Sequence, residues 1–377
     1  MGVKDFTKVF EPLREIKYKD FAGKTVAIDG SIEIYRAALG MSGPNQLTDK
    51  SGNPSSHINT ILIGVILKLK ASGADQYWIF DHDHVNEDGE RICHNPLKEL
   101  ELQKRKEKKT AAKTKIDELN VKLDSVTIRS KPRNDDSDVE LFSDIESLSD
   151  GDCDGDNNQD QIDKIKQDIA KQEKVAFNLE KFYKEDVIFM LNMLDIPWIV
   201  CPPGFEAEQL AAITTYTKIF DKKIDYVFTP DSDALLFGAC RLIKRDIRKK
   251  KLYEYNLAGL LQDYNIKQID LIKIGLILGT DFATKTAGIG PKTVLKKFNT
   301  VELSDEQVLA RDKVFMRKIT SSEISSIIIN NKGLNAFSNV DKYNQLLEWL
   351  DLVKSYNKDR IDKQFRKAGL FILAKPV

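Results

Sequence analysis

Short, nearly continuous apolar runs punctuate this chain, and several of them lead straight to an acid. Val26-Ala27-Ile28 leads into Asp29 within K-T-V-A-I-D-G-S, residues 24 to 31, and Tyr77 to Phe80 leads into Asp81 within Q-Y-W-I-F-D. Two further runs, Pro197 to Cys201 and Asp225 to Thr229, precede Glu206 and Asp231. Brief apolar runs without polar alternation read as strands covered on both faces. Between them the spacing becomes helical: after Asp29, in Leu210-Ala211-Ala212-Ile213, and over 163–195, where Phe182, Phe189, Leu191 and Leu194 are apolar. Strands alternating with helices predict an α/β fold, a mostly parallel central sheet flanked by helices. Beyond residue 300 the pattern is helical only, including Tyr343 to Ser355 and Asp359 to Lys367.

Composition adds scale and a charge pattern. A chain of 377 residues, 41% hydrophobic and 31% charged, buries a large core and has room for two or three domains. Its formal net charge is zero, but the charges are segregated. Leu97 to Lys115 is helical and lysine-rich, and Lys98, Arg105 and Lys109, spaced seven and four apart, lie along one face. By composition this reads first as a solvated charged helix, with a surface for phosphates the alternative. Residues 134–163 reverse the sign, with twelve Asp or Glu and no Lys or Arg. Such a segment buries too little apolar surface to fold alone, so a flexible exposed insertion is expected.

Within that insertion Ser137, Ser143, Ser147 and Ser149 have acids just downstream, as phosphorylation acceptors or as part of a plain acidic tether. Asp150 to Asp156 copies half of a calcium loop, but Gln161 stands where the bidentate Glu belongs. His82, His84, Cys93 and His94 have no standard zinc spacing, and a polar loop is expected there. Four scattered cysteines with no C-x-x-C pair read as reduced thiols of an intracellular protein. There is no run of transmembrane length and no signal-peptide pattern, and Phe6 stands where a myristoylation signal has Ser or Thr. No membrane partner is expected.

The candidate chemistry lies in the acids. Glu206 and Glu208 open a helix, and Asp231 and Asp233 follow a strand; in a parallel sheet both pairs reach the crevice at the strands' C-terminal ends, with Asp29 and Asp81 at the same edge. Taken singly, an Asp ending a strand is more often a helix cap or turn former. Converging acids cannot all stay ionised without cations, and hard divalent ions such as Mg2+ take carboxylate oxygens. Later, L-I-L-G-T-D ends on Asp281 and leads into A-G-I-G-P-K-T-V-L-K-K-F, residues 287 to 298. Gly288 and Gly290 permit a close turn, Pro291 can open a helix, and Lys292, Lys296 and Lys297 add positive charge, which suits a phosphate at the helix start or an ordinary interhelical turn.

V-A-I-D, F-D, E-A-E, D-S-D, L-G-T-D and G-I-G-P-K, in this order and spacing, resemble the structure-specific 5′ nucleases, the flap endonuclease and XPG-type family, from Met1 to about Phe298. The resemblance implies a PIN-like nuclease core over 1–300. It also implies a helical arch inserted at 96–180, a helix-two-turn-helix near 270–298 and a helical extension over 301–377. It implies that Asp29, Asp81, Glu206, Glu208, Asp231, Asp233 and Asp281 hold two Mg2+ ions, with Mn2+ able to substitute. Lys98 and Arg105 match the family's basic pair at the scissile phosphate, and Tyr35 the aromatic on which a base stacks, although core packing explains Tyr35 equally well. Lys109, Gly288, Gly290, Lys292 and Lys296 are the further expected DNA contacts. The implied activity is cleavage of flapped or branched DNA by a monomer in replication or repair, in the nucleus where the cell has one. A 5′ to 3′ exonuclease of the same family is the runner-up, and a non-catalytic branched-DNA scaffold the alternative of another class. Two departures stand out. Pro203-Gly204-Phe205 puts two residues between Pro and E-A-E where the family has one, and no Gln beyond 300 begins a sliding-clamp motif.

Overall fold

The computed structural model describes residues 2–40, 47–82, 96–129, 155–246, 249–330, 340–354 and 356–368. Seven strands form one sheet: β1 Arg14–Ile16, β2 Thr25–Asp29, β3 Asp75–Phe80, β4 Trp198–Val200, β5 Tyr226–Phe228, β6 Arg241–Asp246 and β7 Lys251–Asn256. Their spatial order is β1-β7-β6-β5-β2-β3-β4. The run β6-β5-β2-β3-β4 is parallel throughout. Four of its strands, β2 to β5, are the apolar runs that precede an acid, and all five residues of β2 are buried. The edge formed by β7 and β1 is antiparallel, an addition to the parallel sheet read from the pattern.

The period of two divides each strand between two faces. Ala27, Tyr77, Ile79, Ile199, Val227 and Leu242 join one continuous core with the helices Ala207–Thr214, Asp233–Leu236 and Gln268–Leu278. The alternate residues Ile28, Trp78, Phe80, Phe228 and Ile243 are equally buried, and the helices Gly30–Gly40 and Leu67–Ala71 pack on β3. The C-terminal part is tied in by charge. Lys354, almost fully buried, pairs with Asp49 at 3.2 Å and Asp186 at 2.9 Å, and Asp186 in turn meets His57 Nε2 at 3.1 Å. A buried pair of this kind resists loss of one partner strongly, because an unpaired charge is left behind.

The chain divides into two compact units, Met1–Glu101 with Leu179–Val377, and Leu102–Asn178. Within the second, the helices Pro96–Arg129, from residue 102 on, and Gly155–Ala176 bury Ala112 and Ile165. Lys109 Nζ donates to Asn178 Oδ1 at 2.8 Å.

The helix Gly155–Ala176 corrects the flexible reading of 134–163 at its end. Asp160, exposed near its start, is an acid at the end where carboxylates offset the positive end of the helix dipole, so an acid that argues against order is compatible with a helix start. Residues 134–154, with the four serines and most of the calcium-loop copy, lie outside the described residues, as do His84, Cys93 and His94. The helix expected from Pro291 begins at Val294 and ends at Lys297, since residues 291–293 are spent in a turn that brings the Val294 N–H to the Gly290 carbonyl.

Candidate metal centre

Each acid is placed by the end of an element. Asp29 closes β2 and accepts the Ile32 N–H and the Thr229 hydroxyl, each at 3.1 Å. Asp81 follows β3; its N–H donates to Ser31 Oγ at 2.8 Å and its Oδ1 accepts the Ala207 N–H at 2.8 Å. That second bond ties β3 to the helix Ala207–Thr214, which Glu206 caps and whose first turn contains Glu208. Asp231 and Asp233 follow β5, and the Asp233 N–H donates to Asp231 Oδ1 at 2.9 Å. Asp281 follows the helix Gln268–Leu278, whose C-cap Gly279 takes a φ of 96° that a side chain would resist.

These seven acids form one electrostatic cluster. Burial first, then the charge of Asp81, pushes the Asp29 carboxyl well above its ordinary range, and Asp231 adds to the rise. Glu208 is pushed well up by burial and by Glu206. Asp231 rises through burial and through Asp281, against the lowering effect of the Asp233 N–H. Asp233, 1% exposed, is pushed well up by burial, then by Asp231, Asp281 and Glu206. Its Oδ1 is buried with no hydrogen-bond partner among the described residues. A buried acceptor in that state carries its full desolvation cost.

Lys98 is the cation among them. Its Nζ pairs with Glu206 Oε2 and lies 5.5 Å from the centre of the Phe282 ring. Burial alone would lower its pKa, but Glu206, Glu208 and Asp81 outweigh burial and raise it, so it is firmly an ammonium. A second cation, Lys244 on β6, was not singled out in the sequence. Its Nζ donates to Ser232 Oγ at 2.6 Å, between the two aspartates in sequence, and burial lowers its pKa against the pull of Asp231 and Asp233. The signal was available: in R-L-I-K-R-D, read as a strand beside the D-S-D turn, Lys244 follows the apolar pair as the acids follow theirs.

As they stand, no three His, Cys, Asp or Glu side chains among the described residues are set to grip one ion. Protein donors and Lys98 hold them instead. The fit to a metal rests on the donor set: seven carboxylates, Asp29, Asp231 and Asp233 buried and the other four half-buried, with surplus negative charge and an orphaned Asp233 oxygen, the chemistry that hard divalent cations satisfy.

The other expected contacts are distributed differently. Arg105 and Lys109 are half-buried residues of the second unit, on the helix whose first turns carry Lys98. Tyr35 is half-buried on the helix Gly30–Gly40. Gly288, at a φ of 72°, and Gly290 shape the turn before Val294, with the Gly290 N–H on Thr293 Oγ1 at 3.2 Å, and Lys292 and Lys296 are exposed beside it.

Known proteins resemble this chain in sequence and in fold. The XPG N-terminal domain matches residues 1–112 and the XPG I-region residues 195–281, together more than half of the chain. The chain is 25% identical over 307 residues to flap endonuclease 1 of Glycine max, a match covering 78% of this chain and 65% of that protein. It is 24% identical over 379 residues to flap endonuclease 1 of Brugia malayi, covering 96% and 85%. Among solved structures, flap endonuclease-1 from Methanococcus jannaschii superposes with a TM-score of 0.57 at 17% identity, covering 97% of this chain and 98% of that one. The catalytic core of Rad2 in complex with DNA substrate gives 0.56 at 17%, covering 97% and 100%. These structures share the PIN-like nuclease fold.

Proposed function

The chain belongs to the XPG nuclease family, and on that premise we propose that it is a structure-specific 5′ flap endonuclease. It hydrolyses DNA phosphodiester bonds at branch junctions in replication or repair, as a monomer, with two Mg2+ ions for which Mn2+ can substitute. The family uses divalent metal. The observation that carries the reading is the cluster itself: seven carboxylates from five chain segments act on one another, with more negative charge than Lys98 and Lys244 balance.

Asp29, Asp81, Glu206, Glu208, Asp231, Asp233 and Asp281 hold the ions, with Glu206, Glu208, Asp231 and Asp81 the inner ligands. When bound, the metal supplies a Lewis acid and an activated water for in-line displacement at phosphorus. The protein's own part is to fix the oxygens beforehand. The Ala207 N–H orients Asp81 and the Asp233 N–H orients Asp231, so little reorganisation remains when charge develops. Lys98 exchanges its carboxylate partner for the scissile phosphate, and Arg105, seven residues on in the sequence, is the second cation for that charge.

Tyr35 offers a face for a base, while Lys109, Lys292 and Lys296 and the turn of Gly288 and Gly290 take phosphates. Phosphate contacts position DNA without reading sequence, so branch shape selects the target. In this reading residues 1–300 are the nuclease core, 96–180 its arch, 270–298 a helix-two-turn-helix and 301–377 an extension. End-labelled flap, nicked, gapped and bubble DNAs incubated with Mg2+ test it. The 5′ flap is cut at the junction; release of mononucleotides from the nicked DNA alone would instead make the chain an exonuclease, and binding without cleavage of any of them a scaffold.

A further inference from the structure

The loop that delivers Glu206 and Glu208 differs from the family pattern by one residue. Pro202 to Phe205 closes as a β-turn, with the Phe205 N–H on the Pro202 carbonyl at 3.1 Å and Gly204 at a φ of 80°. Pro at the second position and Gly at positive φ in the third are what a type II turn requires. The extra residue is thus absorbed in a turn, and Glu206 follows it directly.

Something else holds that turn. Arg317 Nη1 donates to the Gly204 carbonyl at 2.8 Å, and its guanidinium lies over the Phe205 ring with Cζ 4.0 Å from the ring centre. Arg317 Nη2 is fixed by Glu323 Oε1 at 2.7 Å. Glu323 is itself fixed as the third residue of the helix Ser321–Ser326, where its carboxylate accepts the Thr320 N–H at 2.8 Å and the Thr320 hydroxyl at 2.9 Å. A Cβ on Gly204 would stand 2.8 Å from Arg317 Nη1, so the glycine makes room for the guanidinium as well as for the turn. Just before Arg317, the Val314 carbonyl accepts from Gln209 Nε2 at 3.3 Å, beside Glu208 in the same short helix.

We propose that Arg317 is a positioning residue for the metal centre, clamping the Pro202–Phe205 turn so that Glu206 and Glu208 are aimed before metal arrives. It touches neither acid; it acts through Gly204 and Phe205. A planar guanidinium suits this task because it stacks and donates in two directions at once, which an ammonium cannot do. The inference rests on the carboxylates being metal ligands, and it assigns a role to a residue beyond the regions that the family domains match.

Three proteins test it: wild type, Arg317→Met, which keeps an unbranched stem, and Arg317→Lys, which keeps charge but loses the planar stack. Mn2+ alone is titrated into each, free Mn2+ being read by electron paramagnetic resonance. Melting is recorded in EDTA, and flap DNA affinity is measured in EDTA by fluorescence anisotropy. Arg317→Met weakens Mn2+ binding by roughly tenfold, the lower end for partners that orient metal ligands, while Arg317→Lys recovers only part of it and flap affinity stays within twofold. Unchanged Mn2+ affinity in a folded Arg317→Met overturns the proposal even if wild type cuts flaps. Equal losses of Mn2+ affinity, flap affinity and melting temperature, or full recovery by lysine, also overturn it, reducing Arg317 to a general support or a simple charge. An Arg317-dependent Mn2+ site in a wild type that cuts no DNA would keep the clamp and reject the nuclease.

Discussion

Replacing Asp233 with Asn should make the metal-free protein more stable and the metal-loaded protein less so. Asp233 is 1% exposed, its Oδ1 has no hydrogen-bond partner among the described residues, and Asp231, Asp281 and Glu206 all oppose its charge. Asparagine removes the charge and offers those carboxylates an N–H donor. Relief of a burdened functional position is commonly worth about 0.5–2 kcal/mol, or roughly 1–4 °C in melting temperature for a chain of this size. Metal acts in the opposite direction: at a free concentration 100-fold above Kd, binding stabilises wild type by about 2.7 kcal/mol, most of which the variant forgoes.

The sign with pH follows from linkage. Asp29, Glu208, Asp231 and Asp233 have raised pKa values when folded, so the folded state binds more protons than the unfolded one above the ordinary carboxylate range. Their contribution is fully present below that range and is lost as pH rises through the folded values. The advantage of Asp233→Asn in EDTA is therefore largest near pH 8 and narrows toward pH 5. Differential scanning fluorimetry of both proteins in EDTA and in Mn2+ measures the crossing. A variant that melts below wild type in EDTA at pH 8, or an equal metal-induced gain in both, refutes the reasoning.

Two other perturbations test separate links. Arg105→Ala is expected to cut the single-turnover rate by about 10² to 10³, as loss of a preorganised donor to developing charge does. Lys115→Ala, whose ammonium already pairs with Glu118 at 2.7 Å on an exposed face, alters only salt-dependent binding; equal, small effects of the two would reject a catalytic arch. Gly30→Ala sets a Cβ 2.3 Å from the Phe80 ring, between Asp29 and the end of β3. Overpacking of that kind costs about 1–3 kcal/mol, read as a lowered midpoint in denaturant, and an unchanged midpoint would show that Phe80 yields freely.

The core of the sheet was legible because its strands are apolar on both faces, so V-A-I-D and Y-W-I-F-D declare themselves without neighbours. The hairpin of β6 and β7 was not. R-L-I-K-R-D and K-L-Y-E-Y-N interleave charge with apolar residues at a half-covered edge, and no Asn-Gly or Asp-Gly turn joins them. Lys244 was missed for the same reason. The helix Gly155–Ala176 was hidden by composition, since Asp156, Asp160 and Asp163 continue the acidic segment into it with no Lys or Arg before Lys164. Among the site residues, sequence supplied the acids at strand ends but not the donors that aim them: the bond from the Ala207 N–H to Asp81 spans 126 residues, and Arg317 reaches back 113 to Gly204. Such partners are set by tertiary packing, which local pattern does not encode.

The central claim is that these acids perform metal-dependent cleavage, and Asp231→Ala tests it most directly. Asp231 is buried, accepts the Asp233 N–H and feels the charge of Asp281. Affinity for a 5′ flap should therefore survive, because phosphate contacts carry it, while cleavage in Mg2+ is abolished. The measurement is one flap substrate, labelled at its 5′ end, with binding followed in EDTA and single-turnover cleavage followed in Mg2+ for wild type and variant side by side. Wild type that cuts at the junction, beside a variant that binds and does not cut, is the predicted result; near wild-type turnover by Asp231→Ala contradicts the account.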